Sequence, residues 1–299
     1  MEARSPLFCD TALAERIERI EADLIAMAAG AARRRSTDAA GFAIPIAGGV
    51  ASFAEPGSPF NKVGGLGFAG VPHATELDDI EQAFAARGAH VQIELAHLAD
   101  PAIGAVLTER GYRLTSFENV LGHALMGQHE RVTAPGVEVR PSSDDELEAW
   151  LDVVTDAVAH PDTDGLSQHE EFDADAVERA ERDLVSAGAR RYVALRDGVI
   201  AGGAGMRIAD GVAQLTGAAT SPAHRRHGIQ TALLAARLAD AAAAGCDIAV
   251  ITTQPGSKSQ QNAQRRGFDL LYTRAVLVLE PRRPRRGADA RCPFVDSSD

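Results

Sequence analysis

The sequence is poor in several things that would fix a class at once. It has three cysteines in 299 residues, Cys9, Cys246 and Cys292, and no CxxC. Such spacing offers neither a disulfide framework nor a zinc site, and it suits a reducing compartment. No apolar run approaches the ~18 residues of a membrane span, because Arg237 and Asp240 interrupt the best candidate. The opening MEARSPLFCD has no apolar core of the kind a signal peptide carries. These absences predict a cytoplasmic protein. Positive charge is also in deficit: 30 Lys and Arg stand against 42 Asp and Glu, a net charge of −12, and only Lys62 and Lys258 are lysines. That balance argues against nucleic acid or an anionic membrane as the main partner. There is no GxSxG, GxxxxGK[ST] or HExxH, and His169-Glu170 has no second ligand at helical spacing, so no metal is expected.

What is present centres on residues 211–234, GVAQLTGAATSPAHRRHGIQTALL. Val212 to Thr220 is a run of small and β-branched residues of strand length, and Ser221-Pro222 ends it, since proline gives a sheet no N–H. A short basic loop follows, His224-Arg225-Arg226-His227-Gly228, and opens into a helical run from Ile229 to Ala244 that stops at Gly245. A helix N-terminus presents unpaired N–H groups and about half a positive charge. With arginines and a glycine in front of it, the unit reads as an anion site suited to phosphate.

Elsewhere the periodicity predicts a helix over 13–29, a polar loop at Arg33-Arg34-Arg35, two strands across 42–53 turning at Gly48-Gly49, and a strand within 60–68. It also predicts a helix capped at Thr75, a strand over 90–95, a helix over 101–109 and a strand over 112–125. Residues 126–136 carry no period and read as a linker. The second half reads as a strand at 137–140, helices to Ala159 and from Ala174, and a hairpin through Asp197-Gly198. After the central unit come a strand at 247–252, a helix capped by Ser257 and a final strand at 268–279. The halves look like copies: Gly111-Tyr112 answers Gly267-Phe268 at a shift of 267 − 111 = 156, and Val120-Leu121 answers Val276-Leu277 at the same shift. Gly65-Leu66-Gly67-Phe68-Ala69-Gly70 spells GxGxxG. A dinucleotide fingerprint needs its third glycine at a helix opening, and here Pro72 and the Thr75 cap delay the helix.

Arg225-Arg226-His227-Gly228-Ile229-Gln230 resembles the Q/R-x-x-G-x-G/A pyrophosphate loop of the GNAT superfamily of CoA-dependent N-acetyltransferases. Pro222 before it and Thr231-Ala232-Leu233-Leu234 after it fit as well; Gln230 departs, standing where glycine or alanine is usual. The resemblance covers roughly residues 137–280 and includes the late SKSQQNAQRRGF segment. It implies an α+β fold of two tandem GNAT-like domains, each a mixed, mostly antiparallel sheet flanked by helices. Residues 1–130 would be a degenerate copy without the loop, 137–281 the domain with the CoA site, and 282–299 a basic, flexible tail.

The resemblance further implies acetyl-CoA as cosubstrate. Its pyrophosphate would lie on the amides of Arg225, Arg226, His227, Gly228, Ile229, Gln230 and Thr231, and its pantetheine along Ala218, Ala219 and Thr220. Asn262 either contacts the pantetheine or caps helix surface. Many relatives place a tyrosine acid in the late helix and a glutamate base on the strand before the loop. The positions here are Ala263 and the neighbourhood of Thr216, so the catalytic acid and base stay unassigned. Tyr272 reads as a core residue. The first two helices and their joining loop would wall the acceptor pocket, with His160, Asp162 and Asp164 in that loop. Residues 144–183 are rich in carboxylates, with Arg179 and Arg182 as the only arginines, which favours a cationic amine acceptor, small-molecule or peptide. The protein would be a monomer, itself a pseudo-dimer, or a homodimer. Two functions remain open: an N-acyltransferase, and a catalytically silent acyl-CoA-binding sensor.

Overall fold

The computed structural model describes residues 5–36, 41–127, 129–160 and 172–281. The expected tail at 282–299, and Asp162 and Asp164, lie outside the described residues. In chain order the first half gives α1 (Thr11–Arg35), β1 (Phe42–Ile46), β2 (Gly49–Phe53), β3 (Lys62–Gly64), α2 (Ala74–Ala85), β4 (Val91–Ala96), α3 (Ala102–Glu109) and β5 (Arg113–Ala124). The second gives β6 (Val137–Pro141), α4 (Leu147–Ala159), α5 (Ala174–Ser186), β7 (Arg190–Arg196), β8 (Val199–Ala209), β9 (Val212–Thr220), α6 (Ile229–Ala243), β10 (Ile248–Thr253), α7 (Lys258–Arg265) and β11 (Asp269–Leu279). Among the described residues no helix is long and apolar enough to cross a membrane.

All eleven strands form one sheet, in the order β1-β2-β3-β4-β11-β5-β10-β9-β8-β7-β6. The last strand of each half has crossed over: β11 pairs with β4 of the first half, and β5 pairs with β10 of the second. β5 and β11 then pair with each other, antiparallel. Within that ladder Glu118 faces Arg274. Their separation, 274 − 118 = 156, equals the spacing of the sequence repeat, so equivalent residues of the two copies meet there, as on a pseudo-twofold axis. Two pairings are parallel, β3 with β4 and β9 with β10. Each is bridged by a loop and one helix, as a parallel neighbour requires.

Helix α1 ties the halves together. Ile17 and Ile20 pack with Val212, Ile248 and Tyr272, while Leu24, Ile25 and Ala28 pack with Ala180 and Leu184 of α5. Burying such an aliphatic side chain is worth about 1.5–3 kcal/mol, so the first half's longest helix is committed to the second half's core. Arg35 donates to both Asp183 oxygens of α5, at 3.1 and 2.9 Å. This is why α1 runs on through Arg33-Arg34-Arg35, where a loop was expected. Ala31 and Ala32 are buried, and three arginines suit the negative end of a helix.

The other departures are small. The first hairpin turns at Ala47-Gly48, one residue early, and both residues have positive φ. The Ala47 carbonyl is held there by the N–H groups of Gly67 and Ala69. Helix α2 starts at Ala74 with His73 as its cap, because Glu76 reaches back 2.7 Å to the His73 N–H. The strand expected within 60–68 is only three residues long. Ser143 and Glu146 form a capping box ahead of α4, the Ser143 N–H donating to Glu146 at 2.9 Å. Ser257 accepts from the Gln260 N–H at 3.2 Å.

Candidate functional site

The site grows from a strand pair that comes apart. β9 and β10 pair over three positions, Val212 with Ile248, Ala213 with Ala249 and Gln214 with Val250. Beyond these they diverge, leaving a cleft between Leu215–Thr220 and Ile251–Thr253. A bulge on β9 contributes: the β8 register skips between Thr216 and Ala218, so Gly217 has no partner. The bulge also swaps faces. Ala213 and Leu215 pack with α6, whereas Ala219 packs with Trp150 and Val154 of α4. Buried Arg237 of α6 fixes the bulge by donating to the carbonyls of Gly205 at 2.8 Å and Thr216 at 3.2 Å. Among the described residues no carboxylate answers this guanidinium there, and burial pushes its pKa down to about 10.

Past the bulge, the Ser221 N–H donates to the Ala201 carbonyl. Along an antiparallel edge alternate residues face the partner strand, so Ala219 turns its amide to β8, and Ala218 and Thr220 turn theirs toward the cleft. Among the described residues, the hydroxyls of Thr220 and Thr253, at the C-terminal ends of β9 and β10, and Nδ1 of His224 are buried without a hydrogen-bond partner. Buried polar atoms are normally satisfied, so these three await something polar.

The chain then reaches the basic loop. Arg226 and Gly228 both have positive φ, 66° and 77°. At 228 glycine is demanded twice: by the left-handed backbone, and because an added Cβ would stand 2.9 Å from the Ala134 Cβ of the linker. Ile229, buried in the α6 core, starts the helix. The helix's first bond runs from the Ala232 N–H to the Gly228 carbonyl at 3.0 Å, so the amides of Ile229, Gln230 and Thr231 have no helix carbonyl to donate to. Arg226, His227 and Gly228 are exposed around this point. Arg225 donates to the carbonyl of His160, which joins the loop to the end of α4, and the His160 ring leans on Asp156. Gln230 is turned sideways: its Oε1 accepts from Asn262 of α7 at 3.2 Å. The side chain that departs from the motif thus bridges α6 to α7 across the cleft.

These residues fit a CoA-like group: three amides at a helix N-terminus, two guanidinium groups and unsatisfied hydroxyls along a cleft where the strands have separated. Of the residues the sequence singled out, 218–220, 225–231, Asn262 and His160 come together around this opening. Ala263 is buried in the core. Tyr272 is buried on the far side of β10 and donates 2.6 Å to Glu18. Among the described residues no group of three or more His, Cys, Asp or Glu gathers as a metal site would.

Sequence reasoning missed Glu181 of α5. An added Cβ on Gly217 would lie 2.8 Å from its Oε1, so the carboxylate rests on the bulge itself. Burial pushes its pKa up to about 7. In sequence it is one acid among many on an amphipathic helix; the only trace is a glycine inside a strand, which marks a close approach.

Residues 153–268 match the family model of the acetyltransferase (GNAT) family. No curated protein matches the sequence. Among solved structures, a GCN5-related N-acetyltransferase from Kribbella flavida superposes with a TM-score of 0.61 at 23% identity, over 89% of this chain and 95% of that one. A tandem GNAT protein from the clavulanic acid biosynthesis pathway gives 0.57 at 12% identity, over 92% and 97%. A GCN5-related N-acetyltransferase from Sphaerobacter thermophilus gives 0.53 at 15%, over 70% and 68%. Residues 153–268 thus carry the match to the GNAT acetyltransferase family, on a chain whose overall fold is like that of a tandem GNAT protein.

Proposed function

We propose that the chain is an acyl-CoA-dependent N-acyltransferase that moves an acetyl group from acetyl-CoA to an amine, and that segment 137–281 holds the acyl-CoA site. The observation that carries this is the β9–β10 cleft ending on the positive N-terminus of α6. The amides of Ile229, Gln230 and Thr231, with Arg225 and Arg226, bind the pyrophosphate; each charge-assisted hydrogen bond contributes roughly 1.5–3 kcal/mol. The backbone of Ala218 and Thr220 pairs with the pantetheine. An N–H from this stretch polarises the thioester carbonyl and stabilises the oxyanion that forms there. Held in line, thioester and amine react as one unit, which alone supplies much of the barrier reduction.

The acceptor side is walled by α4 and α5, whose exposed residues include Glu148 and Asp156; this supports a cationic amine, small-molecule or peptide. Segment 1–130 contributes α1 as a brace behind α5. Calorimetric titration of the intact protein with acetyl-CoA, followed by an amine panel scored by CoA thiol release, tests the proposal. One site per chain and turnover of at least one amine are expected. Tight binding with no amine turned over would instead make the protein a silent acyl-CoA sensor, and no binding would remove the CoA site.

A further inference from the structure

We propose that the Glu181 carboxylate, resting on the Gly217 bulge of β9, is the general base that takes the proton from the attacking amine. The inference rests on the acyltransfer reading above and assigns it the base that the neighbourhood of Thr216 leaves missing. Geometry comes first. Gly217 and Ala218 are the exposed residues of β9, at the point where it diverges from β10. Their backbone borders the place where a thioester must lie if its pantetheine runs along Ala218 and Thr220. Glu181 reaches that point from α5, on the acceptor side, and only the missing side chain of Gly217 leaves room for it.

The charged groups nearby are committed elsewhere. Arg182 is bonded to Glu148 of α4 and Glu178, and Asp183 to Arg35 of α1. Arg179 is bonded to Glu55, and Arg237 to backbone carbonyls. Among the described residues no cation therefore holds Glu181 as a weak base. Desolvation alone sets its affinity for a proton, up to about 7, and a base works best with its pKa near the working pH.

The proton balance is complete with these groups. An ammonium acceptor gives its first proton to Glu181, which passes it to solvent. The neutral nitrogen attacks the acetyl carbonyl, the C–N bond forms and the carbonyl oxygen takes the charge. Glu181 then takes the second proton from nitrogen as the intermediate collapses. The C–S bond breaks, and the CoA thiolate leaves with that proton. The products are the N-acetyl amine, the CoA thiol and one proton in solution.

The test uses the full-length protein. For wild type, kcat/KM for the amine should rise through an inflection near pH 7. Glu181→Gln should lower kcat roughly 100-fold or more, the usual scale of a lost base, flatten that limb, and leave acetyl-CoA affinity by calorimetry unchanged. Glu181→Asp should restore some of the rate. Gly217→Ala should do likewise to kcat, since the new methyl displaces the carboxylate while the melting temperature holds. A Glu181→Gln protein that folds, binds acetyl-CoA and keeps both rate and acid limb overturns the assignment while leaving the acyltransferase reading intact. If wild type binds acetyl-CoA and turns over no amine, the acyltransferase reading falls, and the base with it.

Discussion

The loop before α2 and the loop before α6 occupy the same place in the two halves, each between a strand and the helix that leads to its parallel neighbour. They spend their amides in opposite ways. In the first half the Gly67 and Ala69 N–H groups both bond the Ala47 carbonyl, at 2.9 and 3.3 Å, and Gly67 accepts from Asp100 at 3.1 Å. A Cβ on Gly67 would stand 2.4 Å from Ile103, so this loop is packed against α3. In the second half the equivalent stretch keeps three helix amides without a helix partner and surrounds them with arginines. Near the first loop's strand the cation is Lys62, and it is bonded to Glu94 of β4 at 2.9 Å, which closes the gap that the second half leaves open. A glycine-rich loop becomes an anion site only if its amides are left over from folding.

The comparison is broken most directly at the phosphate contacts. Gly228→Asp with Arg225→Ala should weaken acetyl-CoA binding by about 3–6 kcal/mol, the worth of two charge-assisted bonds, or at least 100-fold by calorimetry. Val71→Asp in the first half's loop should leave affinity and a stoichiometry of one unchanged. A stoichiometry near two, halved by the first variant, would show that both halves bind.

Next in size is the seam. Glu18 accepts from both Tyr272 and Arg274, at 2.6 and 2.7 Å, all three buried. Glu18→Ala removes the nearest carboxylate from buried Arg274, leaving it Glu94 at 3.7 Å and Glu118 at 3.5 Å, and should cost about 3–5 kcal/mol in denaturant unfolding. An effect under 1 kcal/mol would mean the halves are held by apolar packing alone.

A smaller effect follows from pH. Glu118, on the pseudo-twofold axis, has its pKa pushed up to about 7, first by desolvation and then by Glu94, while Lys62 and Arg274 pull it down. The folded state therefore binds this proton more tightly than the unfolded chain. The stability it contributes is full below pH ~4.5, the carboxylate's ordinary range, and is lost as pH rises through about 7. Glu118→Gln should flatten the melting temperature across that window, and Glu181→Gln should flatten it independently in the other half. A wild-type melting temperature that climbs from pH 5 to 7, unaltered in either variant, would refute this. Smallest is Ser257→Ala, which removes the cap of α7 and should cost about 1 kcal/mol with acetyl-CoA affinity within twofold.

Much of the fold was legible because it is local. The Asp197-Gly198 hairpin, the caps at Ser143 and Ser257 and the strand–loop–helix unit at 212–243 follow from backbone chemistry a few residues apart. The α2 cap at His73 and the early Ala47-Gly48 turn were misplaced by one or two residues, since the contacts that decide them, Glu76 to His73 and Gly67 to Ala47, compete with equally plausible neighbours. The continuation of α1 through Arg35 depends on Asp183, far along the chain.

By itself the sequence determined the strand–loop–helix unit at 212–243. Pro222 ends the strand, glycine at 228 suits the left-handed turn, and Ile229 starts an amphipathic helix whose first amides are unpaired by geometry. The repeat at a spacing of 156 likewise announced two copies. Tertiary structure decided the rest. The exchange of β5 and β11 depends on which edges are free when the copies meet, a long-range pairing that no window of sequence encodes. The place of Glu181 beside Gly217 depends on α5 lying across a bulge that Arg237 holds from the opposite face. A carboxylate on a helix looks the same in sequence whether water or a strand lies beneath it, yet burial changes how it holds a proton.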